Sequence, residues 1–367
     1  MKGVHVEKHE DSRSPMLSVI TPFYNTDLRF FTACVSSVLN QEYKDFEWII
    51  VDDGSEKKYA DYLDDLGMRD GRIRIIHQDN GGCSAARNTA LDEARGRYYT
   101  FVDSDDTVEP IFFSHAIDEL ENTGVDIVYG YLVREQLDGT IDRSKIDKIP
   151  WKKRHFAGDD FKMAVRSAIA GEIIKGSGIE KLDAYTVAPR VYRRSVLGDV
   201  RFAHECKYSE DSLYNFMTLQ KVSSLTVVNE CWYIYMNNSS SIVKDVDEQK
   251  QRQNLVDMSY YYNYLIEHGA YKSDVALKVF HMFVTIIRVL SRQMSVMRLR
   301  DFLLDISKED FYFWFSHIDA KQYEVSSQFS YLLRSCQSGQ FWCVAILLKV
   351  HPYIKRAKNI VKALKQK

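Results

Sequence analysis

The chain of 367 residues has little proline, few cysteines and no long apolar run. Six prolines and 17 glycines, with 45% hydrophobic and 27% charged residues, are typical of a folded globular protein and exclude a largely disordered or collagen-like chain. The six cysteines include no Cys-x-x-Cys pair, which argues against a structural zinc site and a secreted disulfide framework. We therefore expect a reducing compartment.

Segments of the kind that target or span membranes are also missing. The first 16 residues are polar and lack the apolar core of a secretory signal. The nearest approach to a membrane span, Phe341 to Leu348, ends at Lys349 after eight residues, whereas a span needs about 18. We expect a cytoplasmic protein that does not cross a bilayer.

Acidic residues are absent beyond Glu324, although the formal net charge is only −2. Eight lysines and arginines in that stretch leave −10 on the first 324 residues. From Tyr353 to Lys367, apolar residues recur at helical spacing opposite a lysine stripe, which predicts a basic amphipathic helix at an anionic membrane surface. The alternative is a helix packed on its own domain. Because the basic residues are concentrated in this tail, nucleic-acid binding is disfavoured.

Short apolar runs alternate with helical patterns through the first half of the chain. The helical patterns cover Leu28–Gln41 and Ser84–Ala94, the second with Ser84 as a possible cap. The alternation predicts an α/β layer with a mainly parallel sheet. The predicted strands are Leu17–Thr21, Phe46–Val51, Arg72–His77, Tyr98–Val102 and Val125–Tyr131.

From about Gln249 onward the pattern becomes helical, which predicts a mostly α-helical second region. The predicted organisation is a flexible N-terminus (1–15), an α/β domain (16–245), a helical region (246–338) and a basic membrane-associating tail (339–367), with membrane contact through 341–367.

Carboxylates follow two of the predicted strands, at the end where ligands of open α/β sheets bind. Asp103-Ser104-Asp105-Asp106 places three carboxylates in four residues, and their repulsion favours a divalent cation such as Mg²⁺ or Mn²⁺ with a nucleotide diphosphate. The alternative is a solvated acidic turn. Asp52-Asp53-Gly54-Ser55 alone equally fits an ordinary turn.

Two further segments carry weaker signals. Gly81 to Asn88 opens a helix and offers backbone N–H groups and Arg87 to an anion, although a simple capped helix fits too. It matches neither the dinucleotide fingerprint nor the P-loop. Glu210 and Asp211 begin another helix, where acidic residues ordinarily complement the helix dipole.

Taken together, SVITPFYN, VDDGS, NGGCSAARN, FVDSDD and the Glu-Asp pair occur in an order and spacing that resembles the family 2 glycosyltransferases. These are inverting enzymes that use nucleotide-sugar donors. The resemblance implies the GT-A fold, a Rossmann-like nucleotide-binding domain with a mixed, mainly parallel sheet. The resemblance covers about residues 16–240.

The resemblance implies roles for individual residues. Asp105, with Asp103, would hold the metal, and Asp211, beside Glu210, would deprotonate the acceptor hydroxyl. The nucleotide-sugar would be bound by Pro22, Tyr24, Asn25, Asp52, Asp53, Arg87, Asp103 and Ser104, with Asp53 recognising the base.

The chain departs from the family pattern in two places. Met236 stands where an arginine is expected, so Lys244 or Arg190 is a candidate substitute for one diphosphate contact. The usual Trp-Asn-Lys-Leu-Tyr stretch is replaced by residues 188–192, which predicts an unusual acceptor side. Arg190, Tyr235 and Ser240 are the candidate acceptor-side residues.

The predicted function is an inverting, Mn²⁺- or Mg²⁺-dependent glycosyltransferase of hexosyltransferase type at the inner face of the cell membrane. By resemblance, the donor is a UDP-sugar and the acceptor a saccharide or lipid-linked saccharide of a cell-surface polysaccharide such as capsule or lipopolysaccharide. Two alternatives are a catalytically silent scaffold recruited to the membrane and a sugar nucleotidyltransferase, although the Gly-rich basic loop of the latter is missing. Oligomerisation is left open.

Overall fold

Four parallel strands form one half of the central sheet in the computed structural model, which describes residues 14–136, 138–144, 146–175, 186–206, 209–237 and 248–349. They are β1 (Leu17–Phe23), β2 (Phe46–Asp53), β3 (Ile73–Gln78) and β4 (Tyr98–Phe101), in the spatial order β3-β2-β1-β4. Every residue of β2 and β4 is buried, as expected for parallel strands covered on both faces. The predicted α/β layer is confirmed.

The other half of the sheet is mixed. It continues from β4 through β8 (Arg190–Arg193), β6 (Ile127–Arg134), β9 (Ser224–Tyr235) and the short β5 (Thr107–Val108), and β7 (Lys153–Ala157) also pairs with β9. β8 runs antiparallel to both β4 and β6, whereas β6 and β9 are parallel. The predicted mixed, mainly parallel sheet is thereby confirmed, although β8 was not among the predicted strands.

Helices α1 (Leu28–Leu39), α2 (Lys57–Arg69), α3 (Cys83–Glu93) and α4 (Phe112–Thr123) connect these strands. The predicted cap at Ser84 is wrong, because α3 begins at Cys83 and the capping residue is Gly82. Gly82 has a φ of +88°, which glycine adopts without the penalty that a Cβ brings.

The described residues form two compact units. The first comprises the residues up to Arg154 together with Ala188–Arg201, which includes the short α6 (Arg194–Leu197), and Thr226–Met236. Its core lies on the sheet, where Trp48 is fully buried and donates from Nε1 to Thr21 Oγ1 at 2.8 Å.

The second unit, comprising His155–Val187, Phe202–Leu225 and the residues from Asn237 onward, is mainly helical, which confirms the predicted helical C-terminal region. The central helix α9 (Lys272–Leu290) is buried along most of its length and packs against α5 (Gly158–Ala170) and α8 (Glu248–Glu267). Arg166 donates from Nε to the fully buried Asp274 at 2.8 Å. Its helices are α5 (Gly158–Ala170), α7 (Glu210–Lys221), α8 (Glu248–Glu267), α9 (Lys272–Leu290), α10 (Val296–Ile306), α11 (Asp310–Phe313) and α12 (Ser327–Gln337).

The predicted tail is helical over 341–349, and its residues 350–367 lie outside the described part of the chain. Phe341, Val344 and Leu348 are buried, whereas Trp342 and Ile346 are about half exposed, at 45% and 49%. These nine residues therefore form a helix that packs on its own unit through its apolar face. None of the described helices combines the length and apolarity needed to span a membrane. The predicted domain limits stay predictions.

Candidate active site

The candidate site of the first unit lies where the parallel strands β1 to β4 end. Because their carboxyl ends share one edge of the sheet, the segments after each strand are brought together there. These segments carry Tyr24 and Asn25 after β1, Gly54 and Ser55 after β2, and the Asp103–Asp106 run after β4.

Asp53 organises the glycine loop that precedes α3. Its Oδ1 accepts from Gln78 Nε2 at 2.7 Å and from the Gly81 N–H at 2.8 Å, and its Oδ2 accepts from the Gly82 N–H at 2.8 Å. A carboxylate has about four acceptor positions. The described residues thus fill three of them and leave one on Oδ2 for a ligand N–H.

Asp52 points to the opposite face of β2, since successive side chains of a strand alternate. It is buried, and its Oδ1 accepts from the Ser55 N–H at 3.0 Å, while its Oδ2 lies 2.8 Å from His77 Nδ1. Ser55 Oγ accepts from the Asn25 N–H at 3.0 Å. These bonds join the loops that follow β1 and β2.

Tyr24 is the exposed aromatic side chain of this edge, with 54% of its surface accessible. It follows Pro22 and Phe23, the last residues of β1, and precedes Asn25, whose φ of +47° turns the chain away from the strand. An exposed ring beside the Asp53 loop is suited to stack on a planar ligand.

The Asp-x-Asp element after β4 is fixed by its neighbours. Arg87 of α3 is almost completely buried and donates from Nη2 to Asp103 Oδ1 at 2.8 Å. Ser104 Oγ lies 2.6 Å from Thr26 Oγ1, which connects this element to the loop after β1. Asp105 is partly exposed, as is Asp103.

Behind this element, Asp106 and Tyr233 form a buried polar network. The Tyr233 hydroxyl accepts from the Asp103 N–H at 3.0 Å and donates to the Asp106 carboxyl, which also accepts from the Met236 N–H at 2.9 Å. Burial, and then the charges of Asp103 and Asp105, hold the pKa of Asp106 well above its usual range. The network fixes the backbone from which Asp103 and Asp105 project.

The described residues among those predicted for the acceptor side lie on two different strands, β8 and β9. Arg190 is buried in β8, with its guanidinium 4.3 Å from the ring centroid of Tyr129. Tyr235 ends β9, with the Arg134 guanidinium 4.5 Å from its ring centroid. Met236 contributes its backbone N–H to Asp106, as described above. Ser240 and Lys244 lie outside the described residues.

Glu210 and Asp211 belong to the second unit, where they begin α7. The preceding Ser209 has a φ of +66°, a conformation that is uncommon for a residue with a side chain. Asp211 Oδ2 accepts from the Val187 N–H at 3.1 Å. One turn later, Asn215 donates from Nδ2 to the Thr186 carbonyl at 2.8 Å. The start of α7 is thereby bound to the 186–187 segment.

Sequence reasoning overlooked several residues of this arrangement, above all His77, Gln78 and Tyr233. His77 and Gln78 end a parallel strand, as Asp52 and Asp53 do, and stand opposite them in register. Applying the strand-end rule to β3 would have found both. Tyr233 gave no such signal, because its role depends on where β9 lies in the sheet.

Comparison with known proteins connects this geometry to a family. The model of the family described as "Glycosyl transferase family 2" matches residues 18–200. The glycosyltransferase EpsJ of Bacillus subtilis is 30% identical over 268 residues, which are 71% of this chain and 74% of EpsJ. TuaG of the same organism, named for teichuronic acid biosynthesis, is 44% identical over 93 residues, 25% of this chain and 36% of TuaG.

The fold is also found among solved structures. S. aureus TarS, residues 1–349, superposes with a TM-score of 0.58 at 17% identity, covering 92% of this chain and 91% of that one. This likeness confirms the GT-A type of fold. The matched family model begins at β1 and includes both Asp-rich loops, the glycine loop and Arg87. Together with the similarity to EpsJ over 71% of this chain and 74% of EpsJ, this shows that the chain is a glycosyltransferase and belongs to glycosyl transferase family 2.

Proposed function

We propose that the protein transfers a sugar from a UDP-sugar to a hydroxyl of a saccharide or lipid-linked saccharide, with inversion at the anomeric carbon. The main support for a donor site is the sheet edge where β1 to β4 end. This edge holds the exposed ring of Tyr24, the Asp53 carboxylate with one open acceptor position among the described residues, and the partly exposed Asp103 and Asp105. TarS, which has the same fold, has been solved with UDP and with UDP-GlcNAc.

In this proposal Tyr24 stacks on the base and Asp53 Oδ2 accepts a base N–H. Pro22, Asn25 and Asp52 support these contacts from the ends of β1 and β2. Arg87 neutralises Asp103 at 2.8 Å, so that Asp103 is set in one orientation beside Ser104.

The donor set after β4 fits a hard divalent cation. Asp103 and Asp105 offer carboxylate oxygens, the ligand type that Mg²⁺ and Mn²⁺ prefer, and such ions are commonly held by one or two carboxylates together with substrate phosphates. No group of three His, Cys, Asp or Glu side chains among the described residues is arranged to hold a metal on its own. A metal bound there would neutralise charge on the leaving phosphate oxygens.

Asp211 is the proposed general base, with Glu210 beside it. An Asp carboxylate at this position can accept the proton of an acceptor hydroxyl, the function of a general base. The Val187 N–H donates to Oδ2 at 3.1 Å and thereby holds the carboxylate at the start of α7. The hydroxyl oxygen then attacks the anomeric carbon as the bond to the diphosphate breaks. Arg190, Tyr235 and Ser240 are the proposed acceptor-side residues.

We also propose that the protein works at the cytoplasmic face of the cell membrane in polysaccharide synthesis, with the basic segment 350–367 at the anionic lipid surface. Six of the eight lysines and arginines beyond Glu324 fall in that segment. At about 1 kcal/mol for each basic residue near such a surface, they suffice for peripheral binding. The relationship to TuaG supports a role in cell-surface polymers.

The experiment that tests the donor site is calorimetric titration of UDP with and without Mn²⁺. Asp105→Asn should abolish the Mn²⁺-dependent part of UDP binding. Asp118→Asn is the matched control, because it removes the same charge from an exposed position on α4. Unchanged Mn²⁺-dependent affinity in Asp105→Asn would remove Asp105 from the metal site.

A further inference from the structure

His77 connects three elements of the first unit at the back of the Asp52 loop. It stands opposite Asp52 in the register of β2 and β3. Its Nδ1 lies 2.8 Å from Asp52 Oδ2, and its Nε2 lies 3.0 Å from Oδ1 of Asp64 on α2. Neither nitrogen has a function in the reaction described above.

Both partners of the ring are carboxylates, which when ionised accept hydrogen bonds only. A neutral imidazole has one N–H and can satisfy one of them, whereas the protonated imidazolium donates to both. The geometry therefore fits the charged ring, which pairs a positive charge with the buried Asp52 carboxylate.

A short chain of hydrogen bonds connects His77 to the loops that follow β2 and β1. The other oxygen of Asp52 accepts from the Ser55 N–H, and Ser55 Oγ accepts from the Asn25 N–H. Asn25 Oδ1 in turn accepts from the Glu56 N–H at 2.8 Å. Asn25 is adjacent to Tyr24, the exposed ring of the site.

We infer that His77 is a positioning residue, whose protonated ring holds the Asp52–Ser55 loop and Asn25 in the arrangement that binds the nucleoside. This inference rests on the proposed function, because it assigns that loop to the nucleotide. It predicts that nucleotide affinity decreases as pH rises through the pKa of His77.

The charged groups around the ring determine the pH at which nucleotide affinity decreases. They are Asp52 from β2 and Asp64 from α2, with the Asp61–Lys57 pair one turn earlier on α2, joined at 2.8 Å. The hydrogen bond to Asp64 is the largest influence and raises the pKa of His77, with Asp52 acting in the same direction. The interaction is therefore fully present below about pH 6.5, the ordinary pKa of histidine, and is lost above the raised value.

The test compares UDP binding by wild type and His77→Gln from pH 6 to pH 9 at constant salt. Using the ratio of the two dissociation constants at each pH cancels the titration of UDP itself. We expect about 10- to 20-fold weaker binding by the variant at pH 6, near the low end for hydrogen bonds to charged groups, and about twofold or less at pH 9.

The matched control is His115→Gln, because His115 is 43% exposed against 42% for His77 and also lies 2.8 Å from one carboxylate, that of Glu230. It should change UDP affinity less than twofold at every pH. A ratio for His77→Gln that stays constant with pH, or that equals the control, overturns the inference.

A second measurement does not depend on UDP. In ¹³C-histidine NMR, the His77 resonance should titrate above the ordinary histidine pKa, and Asp64→Asn should shift that titration to lower pH. A His77 pKa that is ordinary and insensitive to Asp64→Asn overturns the inference. Failure of the wild type to bind UDP, with the NMR result as expected, contradicts the proposed donor site but not the protonated ring.

Discussion

Replacing Tyr233 by Phe removes one oxygen atom from the network behind the Asp-x-Asp element. The hydroxyl is buried, accepts from the Asp103 N–H and donates to the Asp106 carboxyl. The variant leaves each of these two groups one partner short. An unsatisfied buried group costs about 1–3 kcal/mol, and Asp106 keeps its bond from Met236, so we expect about 3 kcal/mol less free energy of unfolding.

The same change should also weaken metal-dependent UDP binding, since the freed Asp103 backbone no longer holds its carboxylate beside Asp105. Urea denaturation measures the first effect, and calorimetric titration of UDP with Mn²⁺ measures the second. We expect the affinity to fall about tenfold while nucleotide binding without metal changes little.

Tyr98→Phe separates loss of stability from loss of the site. Tyr98 is also fully buried in the first unit, and its hydroxyl accepts from Arg193 Nη1 at 3.1 Å and donates to Glu121, but it lies at the opposite end of β4. The Tyr98→Phe variant should lose a comparable free energy of unfolding and keep Mn²⁺-dependent UDP binding. If Tyr233→Phe binds UDP with Mn²⁺ as tightly as Tyr98→Phe does, the network does not position Asp103.

Three further predictions concern the second unit. Asp211→Asn should leave UDP affinity intact and lower turnover by at least about 100-fold, the low end for a general base, and near-normal turnover in a steady-state assay would remove Asp211 from the mechanism. Asp274→Asn keeps an acceptor for Tyr323 but leaves Arg166 without its buried anion, so urea denaturation should show a loss of about 3 kcal/mol; a loss under 1 kcal/mol would contradict that pairing. Truncation after Lys349, which spares the buried Phe341 and Leu348, should abolish co-sedimentation with anionic liposomes while neutral liposomes serve as the control, and equal sedimentation would refute the lipid-surface proposal.

The sequence predicted best the elements that are determined by residues close together in the chain. β1, β2 and β4 are mainly apolar runs, and the structure places each within two residues of its predicted limits. The start of α3 was predicted wrongly because it depends on a residue far away in the sequence. Gly81 and Gly82 donate to Asp53, 28 and 29 residues earlier in the chain, and this determines where the helix begins.

The same distinction applies to the site. Strand ends and paired carboxylates are visible in a sequence, so Asp53, Asp103 and Asp105 could be predicted as site residues. The partners that orient them come from register and sheet order, as with His77 opposite Asp52, or Tyr233 placed behind Asp103 by a strand 130 residues away. Arg87 was expected to contact the ligand directly, and the structure pairs its guanidinium with Asp103.

The central claim is that the protein uses a nucleotide-sugar through a metal bound at Asp103 and Asp105. It is tested most directly by incubating the full chain with UDP-, GDP- and dTDP-sugars, each with Mn²⁺, with Mg²⁺ and with chelator, and measuring release of the free nucleotide. We predict slow release from a UDP-sugar that requires the metal and disappears in Asp105→Asn. Release that is unaffected by chelator, or that persists in Asp105→Asn, would contradict the account.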